Sequence, residues 1–239
     1  MVREPPILLD LFAGAGGAAM GYHRAGFRVV GVDWKPQPQY PFEFILADAM
    51  TFPLQGWDAI HASPPCQAYV DSANKGKHPK LLEPLRARLI ASGLPYIIEN
   101  VDSAPLIEPI RLCGTFFGLR VIRHRHFETQ PRLACFDTPC HHWGRVSEGT
   151  FAGVYGRGGR GPRYVGRHGR RSRWGSVPEG ADTVAFFREC MGIDWIDNRY
   201  ALTQAIPPVY TEYIGRALME EVRSENDGAR QEALWPATG

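Results

Sequence analysis

Nothing in this 239-residue chain is long and apolar enough to cross a membrane as a helix. The longest run free of Asp, Glu, Lys and Arg is Leu11–His23, short of the roughly 18 residues a spanning helix needs. Asp10 interrupts the only apolar stretch near the N-terminus, so no signal peptide is expected and the chain reads as cytoplasmic. Cysteine is scarce. Its five copies are an odd number at irregular spacing, which argues for free thiols in a reducing compartment rather than a disulfide framework. Acid is nearly missing from one window: between Gly144 and Pro178 stand eight arginines and a single acid, Glu148. The rest of the chain holds 19 basic and 24 acidic residues, from totals of 27 and 25. A mildly acidic body with one strongly basic segment suits chemistry in the body and a polyanion on the patch, although a solvated Arg-rich loop would show the same asymmetry. A hydrophobic share of 44% is enough to bury a core, and the length allows one domain with a modest insertion.

The first hundred residues alternate in the α/β manner. Pro6–Leu11, Phe27–Val32, Phe42–Leu46, Trp57–His61 and Pro95–Glu99 are short apolar runs that read as strands. Ala18–Ala25 and Leu81–Ala91 have helical spacing and stop near Gly26 and Gly93. This alternation predicts a doubly wound parallel sheet, whose ligands bind beyond the carboxyl ends of the strands. From Thr129 to about Gly180 the chain is rich in Gly, Arg and His without a sustained period. It reads as an irregular or β-rich insertion, with Phe151–Tyr155 and Tyr164–Val165 as strand pieces. Thr183–Met191 and Thr211–Val222 return to helical spacing. The division expected is a core over 1–128, an insertion over 129–181, closing helices over 182–222 and a fraying tail over 223–239.

Four constellations carry chemistry. Asp10-Leu11-Phe12-Ala13-Gly14-Ala15-Gly16-Gly17 is a Gly-rich turn after a strand, and Asp33 ends the next strand. Glycines there admit a ligand close to the backbone, and an acid at the second strand's end can accept both hydroxyls of a ribose. No Gly-Lys-Ser/Thr follows, so this is not a P-loop; a tight packing turn is the plainer alternative. Ser63-Pro64-Pro65-Cys66-Gln67 follows the fourth strand. Two prolines stiffen the backbone before a thiol, which would act as a nucleophile once nearby positive charge lowers its pKa. Cys113, Cys190 and Cys135 read instead as small buried hydrophobes. Glu99-Asn100-Val101 would face the same crevice. In Arg123-His124-Arg125-His126-Phe127, a strand would put Arg123 and Arg125 on one face, where they could orient a carboxylate or a base oxygen. Cys135, Cys140, His141 and His142 lack the separated pairs of familiar zinc sites, and no metal is expected.

In this order, DLFAGAGG, SPPCQ, ENV and RHRHFE resemble the motifs of the cytosine-5 DNA methyltransferases. Arg188–Gly192 and Thr203–Pro208 resemble that family's two closing motifs, and residues 130–182 fall where the family keeps its variable target-recognition region. The short form is most similar to phage or prophage members. The resemblance implies a Rossmann-like, S-adenosylmethionine-dependent fold. Phe12 would lie against the adenine of S-adenosylmethionine, with Gly14, Gly16 and Gly17 beside its amino-acid end and Asp10 and Ala13 also in the cofactor site. Asp33 would hold the ribose, Trp34 the other adenine face and Asp48 the adenine amine, with Pro65, Gln204 and Ala205 completing the cofactor site. Cys66 would attack carbon 6 of a flipped-out cytosine, Glu99 would bond N3 and the exocyclic amine, and Arg125 would bind the O2 side with Arg123 supporting the pocket. Gln67 and Ser72 would stand nearest the DNA, at the base of a mobile loop running to Pro79. Arg157, Arg160, Arg163, Arg167, Arg170, Arg171 and Arg173 would supply phosphate and base-edge contacts to double-stranded DNA.

Where the family usually has Gly-Asn, this chain has Thr203-Gln204, which leaves a modified S-adenosyl donor open. The other readings are an RNA methyltransferase, since a tRNA-acting branch of the family shares the core motifs, and a catalytically silent DNA-binding relative. No obligatory protein partner is expected, and the chain is read as a monomer.

Overall fold

The computed structural model describes residues 4–70, 78–142, 151–154 and 182–234, with 225–234 as backbone only. Seven strands form one sheet in the order β3-β2-β1-β4-β5-β7-β6. Strands β1 (Ile7–Leu11), β2 (Arg28–Asp33), β3 (Glu43–Leu46), β4 (Ala59–Ala62) and β5 (Tyr96–Asn100) run parallel. β7 (His124–Gln130) is antiparallel to both β5 and β6 (Ile110–Cys113). β1, β4 and β5 are buried along almost their whole length because both faces are covered. Helix α1 (Gly17–Arg24) and the long C-terminal α5 (Pro208–Leu234) cover one face, with Leu8, Tyr22, Ile97, Tyr210, Ile214 and Leu218 in the core between them. α2 (Leu82–Ser92) covers the other, packing Leu82, Leu85 and Leu89 on Leu9, Leu11, Ile60 and Ile98. α3 (Thr183–Met191) and α4 (Arg199–Gln204) close a third cluster around Phe186, Phe187, Met191 and Leu202. Among the described residues, no helix is long and apolar enough to cross a membrane.

All five strands and both helices expected in the first hundred residues are present, each within about two residues of its expected ends. The Arg123–Phe127 segment is a strand from His124 onward. β6 and α4 were not anticipated. Both are short, at four and six residues, too short to display a period. α5 corrects another expectation. It starts at Pro208, a residue suited to the first helical position, and runs through Leu234 rather than fraying after Val222. Arg, Glu, Gln, Ala and Leu in Arg223–Leu234 are good helix formers, which sustains the helix past Val222. Of the insertion's expected strand pieces, Ala152 makes a single bridge to Val121. Tyr155 and Tyr164–Val165 lie outside the described residues, as do Ser72 and the arginines from Arg157 to Arg173.

The close fit of α1 on α5 sets the Gly-rich turn in place. A Cβ at Gly21 would run into Thr211 and the Pro208 carbonyl, and one at Gly17 into the backbone of Ile206. Thr211 Oγ1 donates to the Ala18 carbonyl at 2.8 Å, and Trp195 Nε1 to the Ala15 carbonyl at 2.9 Å. The C-terminal elements thus clamp the turn that follows β1.

Candidate active site

β1 is flanked by β2 on one side and β4 on the other, so the chain leaves its carboxyl end in both directions. The crevice opened there is the expected ligand site of such a sheet. Four of the segments singled out from sequence reach this edge: the turn after β1, Asp33 at the end of β2, Pro64–Gln67 after β4 and Glu99–Asn100 at the end of β5. A cavity of about 1000 Å³ lies elsewhere. It opens at the opposite end of β5, lined by Pro95, Tyr96, Thr129 and Gln130 among others, and holds none of these groups.

The turn after β1 has three residues at positive φ: Phe12 at 60°, Gly14 at 50° and Gly16 at 83°. Gly14 donates its N–H to Asp33 Oδ2 at 3.1 Å, while Lys35 N–H binds Oδ1 at 3.0 Å. Each carboxylate oxygen of Asp33 keeps a lone pair for a further donor. A Cβ placed on Gly14 would stand in open space, so the turn borders a cradle rather than packed protein. Trp34 is 67% exposed at the end of β2, with Lys35 Nζ 4.6 Å from its ring centre. Phe12 is half-buried, and Asp48 is exposed with Oδ1 accepting from Met50 N–H at 2.9 Å. Gln204 is exposed and Ala205 buried against Gly17.

Asp10 departs from its expected place at the cofactor. It is 1% exposed, and Tyr40 donates to its Oδ2 at 3.3 Å. Its carboxyl is therefore held inside the core by Tyr40. Burial pushes its pKa up to about 8, against the opposing pull of the Tyr40 hydrogen bond. The unfolded chain loses this proton near pH 4 and the folded chain near pH 8, so the folded state binds more protons between those values and loses stability as pH rises through them. Asp10→Asn stays neutral and can still accept from Tyr40. Its melting temperature is expected to gain on wild type progressively from pH 5 to pH 8, by at most about 1.4 kcal/mol per pH unit in stability. Parallel melting curves across that range would mean that Asp10 is ionised in the fold.

Cys66 opens a short 3-10 turn, Cys66–Ala68, behind Pro65. Asn100 Nδ2 donates to the Pro64 carbonyl at 2.9 Å, and Ser103 Oγ to the Tyr69 carbonyl at 2.7 Å, so both ends of the turn are tied to the chain after β5. Glu99 is buried, and Arg125 Nε meets its Oε1 at 2.9 Å. Arg125 also donates to the His124 carbonyl at 2.8 Å, which fixes the guanidinium. Cys66 feels both of them. Burial raises its thiol pKa, Arg125 pulls it down, and Glu99 pushes it up. The sequence suggested a lowered thiol pKa; in the folded protein burial outweighs the arginine. Burial likewise raises Glu99 above the usual carboxylate range, against the pull of Arg125 and a Ser63 hydrogen bond.

Arg123 has a different place from Arg125. It is fully buried, and its guanidinium donates to the carbonyls of Val154, Thr203 and Ala205. It braces the insertion and the α4–α5 connection behind the pocket, while its charge still reaches Cys66 and Glu99.

Sequence reasoning missed a buried chain of polar groups behind Glu99. Tyr22 OH and His61 Nδ1 are 2.9 Å apart, and His61 Nε2 and Ser63 Oγ are also 2.9 Å apart. Burial lowers His61 to about 3, so its ring is neutral. Since Ser63 bonds Glu99, its hydroxyl proton points to the carboxylate. His61 then donates from Nε2 and accepts from Tyr22 at Nδ1. A histidine within the apolar run Trp57–Ala62, two residues before Ser63, was the available signal. Gln67 Oε1 is buried with no hydrogen-bond partner among the described residues.

No protein-family model and no curated protein sequence matches this chain. Solved structures do. The Entamoeba histolytica methyltransferase EhMeth is similar at 12% identity and a TM-score of 0.60, over 92% of this chain and 99% of that one. A mutant of Spodoptera frugiperda DNMT2 is similar at 13% identity and a TM-score of 0.58, over 89% and 99%. The S. pombe Dnmt2 methyltransferase follows at 12% and 0.53, over 91% and 99%. Such likeness concerns the backbone, and it extends over nearly the full length of those proteins: this chain has the mixed-sheet, Rossmann-like fold of Dnmt2-type methyltransferases.

Proposed function

We propose that the chain transfers a methyl group from S-adenosylmethionine to carbon 5 of a flipped-out cytosine in double-stranded DNA, as a compact, phage- or prophage-type member of the cytosine-5 methyltransferases. The observation that carries this reading is the grouping of Cys66, Glu99 and Arg125 beside a glycine turn that borders open space. The residues around that turn fit the donor: Gly14 leaves room, Asp33 has accepting capacity for two hydroxyls, and Phe12 and Trp34 offer ring faces. When bound, S-adenosylmethionine supplies an electrophilic methyl group.

The chain's own residues do the rest. Arg125 and Glu99 orient the base, the first from its O2 side and the second at N3 and the exocyclic amine. Cys66 gives its proton to solvent water and its sulfur adds to carbon 6, while Glu99 holds a proton at N3 against the charge that develops there. Carbon 5 becomes electron-rich and takes the methyl group. Loss of the carbon-5 proton then restores the double bond and expels the thiolate. Arg123 keeps this geometry through its three carbonyl contacts.

Asp33→Ala is expected to weaken S-adenosylmethionine binding about ten- to a hundredfold, for loss of charge-assisted bonds to two ribose hydroxyls. Calorimetry on the free protein measures it, and an unchanged dissociation constant would place the ribose elsewhere.

The substrate is tested with duplex DNA and RNA carrying 5-fluorocytosine, whose fluorine cannot leave as a proton does. A covalent complex with DNA and none with RNA supports the reading. Trapping on RNA alone would replace it with the RNA branch, and trapping on neither would remove Cys66 from its role. The basic segment contributes a further sign: DNA affinity should fall steeply with salt, by about 0.9 in log–log slope per neutralised phosphate.

A further inference from the structure

The β6–β7 hairpin brings together four side chains that the proposed chemistry does not use. Cys113 ends β6 and His124 begins β7, and the two are direct partners in the antiparallel register. Cys140 and His142 come from the segment that follows β7. The ligating atoms of all four lie within 4.8 Å of one another. His124 Nε2 and Cys140 Sγ are 3.2 Å apart, and Cys113 Sγ and His142 Nε2 are 3.3 Å apart. A tetrahedral zinc ion has Zn–S near 2.3 Å and Zn–N near 2.0–2.1 Å, which sets sulfur–nitrogen edges of about 3.5 Å. The observed separations are close to those edges.

We propose that Cys113, His124, Cys140 and His142 bind a zinc ion in a closed, structural site that pins the start of the Arg-rich insertion to the edge of the sheet. Two thiolates and two neutral imidazoles are a donor set suited to Zn²⁺, and four protein ligands leave no open position for catalysis. Binding releases the two thiol protons to solvent, and the resulting centre is neutral, as a partly buried location requires.

The surroundings are built to hold it. Thr115 Oγ1 lies 3.2 Å from Cys113 Sγ, where its hydroxyl can donate to a thiolate, and the same oxygen accepts from His141 N–H at 3.1 Å. Thr138 Oγ1 accepts from Cys113 N–H at 3.0 Å. These bonds tie the segment bearing Cys140 and His142 to β6 and the turn after it. The His142 ring also meets the buried Phe151, 6.5 Å between centres. The ion would thus fasten the segment after β7 beside Phe151. It would also steady His124, whose carbonyl holds Arg125.

The spacing of Cys135, Cys140, His141 and His142 argued against a metal in the sequence. The structure divides that group: Cys140 and His142 join Cys113 and His124, while Cys135 packs in the core with Ile110 and Leu133.

The test reads metal, so it stands apart from the methyl-transfer reading. The full chain, purified without chelator from zinc-supplemented culture, should carry one zinc per molecule by mass spectrometry. Cobalt in its place should give the intense ligand-field absorption of a tetrahedral thiolate site. Cys140→Ser and His142→Ala, with folding checked by circular dichroism, should each lose the ion and the cobalt spectrum. His141→Ala should keep both. A wild-type protein that neither carries zinc nor binds cobalt would overturn the proposal. So would variants at Cys140 and His142 that keep full occupancy.

Discussion

Cys66→Ala is expected to lower methyl transfer by about 10⁴-fold or more, because cytosine carbon 5 is not nucleophilic until a group has added to carbon 6. The change should leave S-adenosylmethionine and DNA affinities close to those of wild type. The turn is held by Asn100, Ser103 and the backbone bonds from Tyr69 and Val70 to the Cys66 carbonyl, none of which uses the thiol. The variant should also fail to form the 5-fluorocytosine adduct. Single-turnover kinetics decide the matter, and a rate near that of wild type would end the role of Cys66 as nucleophile.

Glu99→Gln should slow the chemical step about 10²- to 10⁴-fold. The amide can still accept from Ser63 and contact Arg125, so the surrounding bonds survive, but it cannot hold or give up a proton at N3. Burial keeps Glu99 protonated to a higher pH than an ordinary carboxylic acid. If that proton is needed, the wild-type rate should fall as pH rises through the elevated Glu99 value, and the Gln variant should lack this limb. Single-turnover rates across pH for both proteins test it. A Gln variant with the wild-type rate would exclude Glu99 from the mechanism.

Most of the sheet was legible because local signals suffice for it. Short apolar runs bounded by Gly, Pro or an acid mark β1 to β5, and glycines mark the ends of α1 and α2. The same signals put Asp33, Cys66 and Glu99 at strand ends, which in this topology is one edge of the molecule. What could not be read depends on pairing between distant segments. The separate duties of Arg123 and Arg125 arise from partners 31 to 82 residues away from Arg123. The polar chain behind Glu99 needs α1, β4 and β5 in their final places. Cys113 and His124 face each other only through the β6–β7 register, and β6 is too short to announce itself. Asp10 misled because its position at the end of a strand suggested ligand contact, whereas Tyr40 reaches across β2 to cover it.

The clamp on the turn after β1 bears on how the protein is made. Ala15, Gly17, Ala18 and Gly21 emerge from the ribosome well before Trp195, Ile206, Pro208 and Thr211, on which they rest. At roughly 5–20 residues per second, synthesis of the intervening chain takes on the order of ten to forty seconds. During that time the first helix has no α5 to bury its inner face. The pocket beside the glycine turn is therefore completed only once α5 has been made, from segments far apart in the chain. Nascent chains stopped short of α5 should retain far less S-adenosylmethionine than the finished protein, even though they already contain the whole glycine turn and Asp33.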